Sequence, residues 1–332
     1  MTTPHDTFAS HPYEALFSPD SSTPIAYHKP SLPYTFPPHH PLQTLTLYIP
    51  FGSSLPSSSY IPRPKNPTWL IYIHGGAWRD PLIDSLSFTP TVLSLLASSP
   101  PENLTGIISL NYRLSPHPSH PESGNHSQHP DHISDILTAL SFLHPLGIYP
   151  KITIGHSCGA TLAFQSVMSP SRWGLTLPAS QLQNPIPKPH VIIGLNGLYD
   201  LSGFISNPPR GFESLVPPYR EFVTGAFGTD EKAWRDVCPT SCEGDWLREW
   251  TESKTQKKKR KVVLVQSRED GLVPHRQLEG LRERIEAENG KEEGVEIEVQ
   301  EVDGEGWGGH DEVWKRGDKL AELLKGVLGV LE

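Results

Sequence analysis

The chain has 332 residues, of which 36% are hydrophobic and 20% charged, and a formal net charge of −9, the balance of a globular protein long enough for one α/β core. That acidity excludes a face of clustered Lys and Arg for binding phosphates, so no nucleic-acid partner is expected. No apolar run approaches the roughly 20 residues that cross a bilayer, the N-terminus MTTPHDTFASHPYEALFSPD lacks a secretory signal, and three cysteines, Cys158, Cys238 and Cys242, are too few for a disulfide framework. A cytoplasmic protein without a membrane partner is expected.

In chain order, 14 of the 35 prolines fall within the first 70 residues, which predicts that residues 1–42 form a largely extended or looped segment draped over a core built later. QTLTLYIP (43–50) is the first alternating strand. TWLIYI (68–73) and GIISLNY (106–112) are short, nearly continuous apolar runs of the kind buried on both faces of a sheet, with a crossover helix between them at 83–99. The same rhythm continues with a helix at 131–143, the strand KITIG, a helix from Gly159 to about Met168, the strands HVIIGLN and KVVLVQS, a helix at 275–289, the strand VEIEVQEV and a final helix over 311–331. Strands alternating with helices predict an α/β fold with a mostly parallel sheet covered on both faces, in a single domain over 43–332. Residues 201–250 interrupt the rhythm with aromatics, Pro and Gly before Trp234, Trp246 and Trp250; they are a candidate lid or cap, or an irregular connection with its own hydrophobic cluster.

The run ITIGHSCGATLAF (152–164) contains Gly155-His156-Ser157-Cys158-Gly159, the G-x-S-x-G pattern, between a predicted strand and a predicted helix. In that setting the glycines let two backbones pass closely, and the serine hydroxyl stands clear above the strand ends. A serine hydroxyl becomes a nucleophile when a histidine takes its proton, and the imidazole needs an acid to fix its tautomer. Asp270 follows KVVLVQS and His310 follows VEIEVQEV, both in loops at strand C-termini, where an open α/β sheet gathers its site. Glu269 is the alternative acid, with Asp270 favoured by the D-x-L-V-P pattern; His156 and His275 do not occupy the third loop.

Upstream, IYIHGGAWRDP (71–81) ends a strand with His-Gly-Gly. Gly75 and Gly76, with Ala77 as a substitute, are candidate backbone donors to an oxyanion, joined by the N–H of Cys158; such donors are worth about 3 kcal/mol each. His74 is expected to hold that loop, and the Cys158 sulfur to pack. His117, His120, His126, His129 and His132 crowd one segment but lack a ligand quartet, so no metal is expected. The basic run KTQKKKRK (254–261) is read as a solvated loop before a strand in preference to a nuclear-import signal.

Together HGGAW, NYRLSP (111–116), GHSCGA, REDGLVP and GGHDEVW resemble the α/β-hydrolase superfamily on the side of the hormone-sensitive-lipase-like esterases, and HGG-x-W followed by Arg-Asp-Pro looks like the kynurenine formamidases. The resemblance covers about residues 43–331. It implies hydrolysis of N-formyl-L-kynurenine to L-kynurenine and formate with no metal or organic cofactor, Ser157 as nucleophile, Asp270 as orienting acid and His310 as base, with Gly75, Gly76 and Cys158 at the oxyanion hole. A small-molecule substrate and a homodimer fit the family. Trp78 is a candidate wall of an aromatic pocket, with core packing the alternative. The residues by themselves specify a serine hydrolase; a broad carboxylesterase is the rival activity, and a non-catalytic binding protein on the same fold the rival class.

Overall fold

The computed structural model describes residues 2–18, 22–37, 39–52, 54–97, 100–176, 185–251, 259–289 and 296–331. Its centre is a nine-stranded sheet in the order β1-β2-β3-β5-β4-β6-β7-β8-β9. β1 (Glu14–Phe17), β2 (Pro24–Pro33) and β3 (Thr44–Pro50) pair antiparallel, and β3 pairs antiparallel with β5 (Leu104–Leu110). From β5 onward, β4 (Thr68–Ile73), β6 (Pro150–His156), β7 (Val191–Leu195), β8 (Arg260–Ser267) and β9 (Ile297–Gly304) are all parallel.

The near-continuous apolar runs are those of strands covered on both sides: every residue of β4, β5 and β7 is buried. Side chains still alternate. Ile71 and Ile73 join one hydrophobic cluster, and Leu70 and Tyr72 the other. The first cluster packs the sheet against α3 (Asp131–Leu143), α4 (Cys158–Gln165) and α9 (Arg276–Glu288). The second packs it against α2 (Thr89–Leu96) and α11 (Asp318–Gly329). The result is the three-layer arrangement that a parallel sheet requires.

Two expectations need correction. The single helix over 311–331 is two, α10 (Glu312–Lys315) and α11. Gly317 turns the chain between them at φ 71°, so close to α2 that a Cβ there would lie 2.5 Å from the Pro90 carbonyl carbon. The N-terminal segment does more than drape over the core. It contributes α1 (Pro4–Ser10) and two strands of the sheet, so the step from residue 42 to 43 is not a structural boundary.

The prolines are tolerated because of where they fall. β1 pairs with β2 only as far as His28, so among the described residues no strand pairs with Pro30 and Pro33 on the β1 side and no amide donor is needed there. The β2–β3 register slips between Lys29 and Leu32, with Ser31 at φ 51°. Lys29, 0% exposed, sends its ammonium to the carbonyls of Phe8 (3.0 Å), Ser58 (2.7 Å) and His11, and lies 4.4 and 4.3 Å from the Phe8 and Tyr13 ring centroids. Three donors meet three acceptors, and the rings supply cation–π attraction.

Residues 201–250, between β7 and β8, fold as α5 (Leu201–Ser206), α6 (Val216–Phe227), α7 (Glu231–Asp236) and the start of α8 (Trp246–Thr251). Trp234, Trp246 and Trp250 are buried in the first core cluster, with their indole N–H groups donating to the Gly228, Pro239 and Pro189 carbonyls. Cys238 and Cys242 are free, buried thiols. Of the basic run, 254–258 lie outside the described residues. Lys259 and Lys261 pair with Glu296 and Glu298, and Arg260 is buried against backbone carbonyls. Among the described residues no helix is long and apolar enough to cross a membrane.

Lys29→Met is expected to leave three carbonyls without their donor and to lower stability by about 3 kcal/mol in denaturant unfolding. A loss under about 0.5 kcal/mol, the scale of an ordinary surface substitution, would show that this lysine does not fasten the N-terminal segment.

Candidate active site

β6 ends at His156 and α4 begins at Cys158, which leaves Ser157 alone to turn the chain, at φ 54° and ψ −122°. A non-glycine residue held there stores about 1–3 kcal/mol of strain, sustained by the surrounding packing. A Cβ on Gly155 would lie 2.2 Å from the Gly159 carbonyl oxygen, and one on Gly159 would lie 2.2 Å from the Ile73 oxygen. β6 and α4 therefore meet at this separation only with glycine at 155, and α4 and the end of β4 only with glycine at 159. The corner is fastened by the Ser157 N–H, which donates to the Leu195 carbonyl at 2.9 Å, and by its carbonyl, which accepts from Ala160 N–H at 3.0 Å. The serine opens onto a cavity of about 300 Å³ that it shares with His310.

The His310 Nδ1–H donates to Asp270 Oδ2 at 2.8 Å. The other carboxylate oxygen accepts from the N–H groups of Leu272 (2.8 Å) and Val273 (2.9 Å), while Gln266 Nε2 donates to Oδ2 at 3.0 Å. Four hydrogen bonds thus hold Asp270, which is 7% exposed, against the His310 imidazole. Glu269, the alternative acid, points to solvent. His275 is also exposed, beside Glu279 and Glu301.

Two residues without an assigned function in the sequence hold the His310 backbone in place. His156 Nε2–H donates to the His310 carbonyl at 2.9 Å, and Asn196 Nδ2–H does so at 3.2 Å. Asn196 Oδ1 also accepts from Ser267 N–H at 2.8 Å, tying the end of β8 to the histidine loop. Burial, followed by the adjacent His310, pushes the His156 imidazole down to about 3, so it serves as a neutral donor. The signal for Asn196 was its place at the end of HVIIGLN, since asparagine tolerates the left-handed φ of 45° found there.

On the other side of Ser157, Gly75 is close enough that its Cβ would lie 3.1 Å from the serine Cβ, and Gly76 and Ala77 line the cavity. Tyr112 donates its hydroxyl to the carbonyls of His74 and Gly75 at 3.1 and 3.2 Å and stacks on the His74 ring. Burial pushes His74 down to about 4, consistent with a neutral prop under the loop. The Cys158 sulfur faces inward, accepts from Trp78 N–H at 3.2 Å and has its thiol pushed up to about 11 by burial. Its backbone N–H, at the first position of α4, belongs to the turn around Ser157.

The structure corrects the candidate pocket wall Trp78. Its ring is 0% exposed and packs edge-on against Phe227 at 4.9 Å, behind the cavity, whose lining it does not join. Ala77 and Trp78 both have positive φ, 50° and 59°, and this reversal of the chain carries the indole inward. Aromatic walls come instead from Tyr219 and Phe222 on α6, with Leu215 and Pro218 beside them. The Tyr219 hydroxyl donates to Leu272 O at 2.9 Å, which fastens α6 to the acid loop.

Among the described residues the histidines of 117–132 form no group of three potential ligands: His117 lines the cavity and meets His120 edge-on, His120 pairs with Glu122, His126 is exposed, His129 packs against Trp173, and His132 is buried against Ser115. Among the described residues, the group of potential metal ligands that converges is His156, His310 and Asp311, with atoms within 4.8 Å of one another. Its members already serve Asp270, Lys315 and the His310 backbone.

No protein-family model matches the chain. Over 301 residues it is 35% identical to the kynurenine formamidase-like hydrolase fscH of Fusarium equiseti, spanning 87% of this chain and 90% of that protein. It is 31% identical over 260 residues to the kynurenine formamidase avaC of Aspergillus versicolor, spanning 75% and 84%, and 30% identical over 262 residues to the kynurenine formamidase of Meyerozyma guilliermondii, spanning 78% and 84%. Among solved structures, esterase B of Lactobacillus rhamnosis superposes with a TM-score of 0.57 at 15% identity over 92% of this chain and 86% of that one. Carboxyl esterase 2 of Tuber melanosporum does so with a TM-score of 0.54 at 16% identity over 96% and 86%. These structural likenesses carry the α/β-hydrolase fold and nothing finer.

Asp270→Asn should lower kcat by about 10³- to 10⁴-fold while Tm changes little, because the amide leaves His310 in the wrong tautomer. Iodoacetamide at pH 8 should leave activity intact, since that pH lies below the value of about 11 at which Cys158 ionises. Inactivation matched by alkylation of Cys158 would contradict the inward-facing thiol.

Proposed function

Because the chain belongs to the kynurenine formamidase family of α/β-hydrolases, we propose that it is an arylformamidase that hydrolyses N-formyl-L-kynurenine to L-kynurenine and formate, a step of tryptophan degradation. The observation that carries the mechanism is the 2.8 Å bond from His310 Nδ1 to Asp270, made by a histidine that shares a cavity with Ser157. With Nδ1 engaged, Nε2 is the nitrogen left to act as base.

In the acylation step Ser157 Oγ bonds to the formyl carbon as its proton passes to His310 Nε2, and the carbonyl oxygen becomes an oxyanion. Backbone N–H groups of Gly75, Gly76 and Cys158 are the donors assigned to that charge. Collapse of the adduct breaks the C–N bond, His310 returns the proton to the departing nitrogen, and the amine leaves a formyl ester on Ser157. Water then gives one proton to His310 and its oxygen to the formyl carbon; the C–O bond to Ser157 breaks, the serine recovers its proton from His310, and formic acid departs, losing its remaining proton to solvent as formate. The formyl carbon bears only hydrogen, so the acyl side needs little room, and the walls of Tyr219 and Phe222 suit the aryl ring. A cytosolic setting is supported by the free thiols of Cys158, Cys238 and Cys242.

The test compares kcat/KM for N-formyl-L-kynurenine and p-nitrophenyl acetate, with EDTA present, in the wild type and Ser157→Ala. Preference for the formamide, lost by about 10⁵-fold or more in the variant and indifferent to chelator, is the expected outcome. Ester turnover without formamide turnover would make the protein a carboxylesterase.

A further inference from the structure

Besides Asp311, which accepts from Lys315, the cavity carries charge in its lining that formamide hydrolysis does not use. Arg79 and Asp80 line it just beyond the Gly76–Ala77 turn. The Arg79 guanidinium donates through Nη1 to Glu221 Oε1 at 2.8 Å and lies 5.8 Å from the centroid of the Phe222 ring. Its side chain is 15% exposed, against 54% for Glu221, so the acid approaches from the solvent side. A guanidinium has five N–H donors, and among the described residues Glu221 is the acceptor its side chain engages. Asp80 accepts from Leu82 N–H at 2.9 Å through Oδ1, and among the described residues its Oδ2 has no hydrogen-bond partner.

A cavity lined by Ser157, by apolar side chains and by an arginine and an aspartate matches an aryl formamide that carries a zwitterion. We propose that Arg79 and Asp80 form an amino-acid subsite, the guanidinium holding the α-carboxylate and the aspartate the α-ammonium of the substrate. The selectivity of the enzyme for N-formyl-L-kynurenine over plain aryl formamides then comes from this pair. The proposal rests on the formamidase reading of Ser157 and extends it to recognition of the non-reacting half of the substrate. In the competing account, Arg79 and Glu221 merely tie α6 to the turn, and substitution would affect every substrate alike.

The experiment measures kcat/KM for N-formyl-L-kynurenine and for formanilide, which has the same scissile bond without the amino acid, in the wild type, Arg79→Met, Arg79→Lys and Asp80→Asn. Arg79→Met should lower the ratio of the two values about 30-fold, chiefly through KM for N-formyl-L-kynurenine, with Arg79→Lys recovering part of it. Asp80→Asn should lower the ratio about 5-fold. An unchanged ratio, or an equal loss on both substrates, overturns the subsite. Independently of any variant, L-kynurenine should inhibit p-nitrophenyl acetate hydrolysis by the wild type with a Ki about tenfold below that of 2-aminoacetophenone, which lacks the amino acid. Equal Ki values overturn the subsite as well. If the ester is cleaved and neither formamide is, the formamidase reading fails, and the inhibitor pair still decides the subsite.

Discussion

A side chain on Gly155 would bring a carbon within 2.2 Å of the Gly159 carbonyl oxygen, and one on Gly159 within 2.2 Å of the Ile73 oxygen; this close approach of α4 to both β6 and β4 is the constraint on which the rest of the site depends. It lets one residue, Ser157, complete the turn from strand to helix, so that its hydroxyl stands at the rim of the sheet. The turn is held in place by the hydrogen bond to Leu195 on the neighbouring strand and by an α4 that is buried along its whole length. A strained φ of 54° at Ser157 is stable here because relaxing it would disrupt packing on both sides of the corner.

Sheet order supplies the other groups. β4 lies on one side of β6 and delivers the His74–Gly76 turn; β7, β8 and β9 follow on the other side and deliver Asn196, Asp270 and His310 in turn. All of these loops leave the same end of parallel strands, so residues far apart in the chain meet without any long excursion. The polar groups then hold one another: Asn196 bridges the end of β8 to the His310 carbonyl, His156 donates to the same carbonyl, and Asp270 is fixed by its own loop and Gln266. A site held in this way is organised without a ligand, as the proposed stabilisation of an oxyanion requires. α6 adds the substrate-facing walls and is itself tied to the acid loop through Tyr219.

The parts of this arrangement that were legible in the sequence are those whose physics is local. Strands buried on both faces appear as apolar runs, a strand-to-helix corner needs its glycines, and a loop after a strand presents its acid or histidine at a known end of the sheet. β2 was hidden because proline argues against a strand until it is seen that, among the described residues, no strand pairs with Pro30 and Pro33 on the β1 side. Trp78 misled because closeness in sequence to the Gly75–Gly76 turn says nothing of side-chain direction, which two successive left-handed residues reverse. The supporting roles of His156 and Asn196 depend on a carbonyl 154 and 114 residues away, and the walls from α6 depend on how an irregular insertion packs. No local pattern encodes either.

The central claim is that Ser157, activated by His310, carries the formyl group. The most direct measurement is titration with a fluorophosphonate, which modifies an activated serine covalently, followed by peptide mapping and assay with N-formyl-L-kynurenine. The expected result is one adduct per chain, on Ser157, with formamidase activity falling in proportion to labelling. Full formamidase activity in completely labelled protein, or an adduct on another residue that tracks the loss, would contradict it.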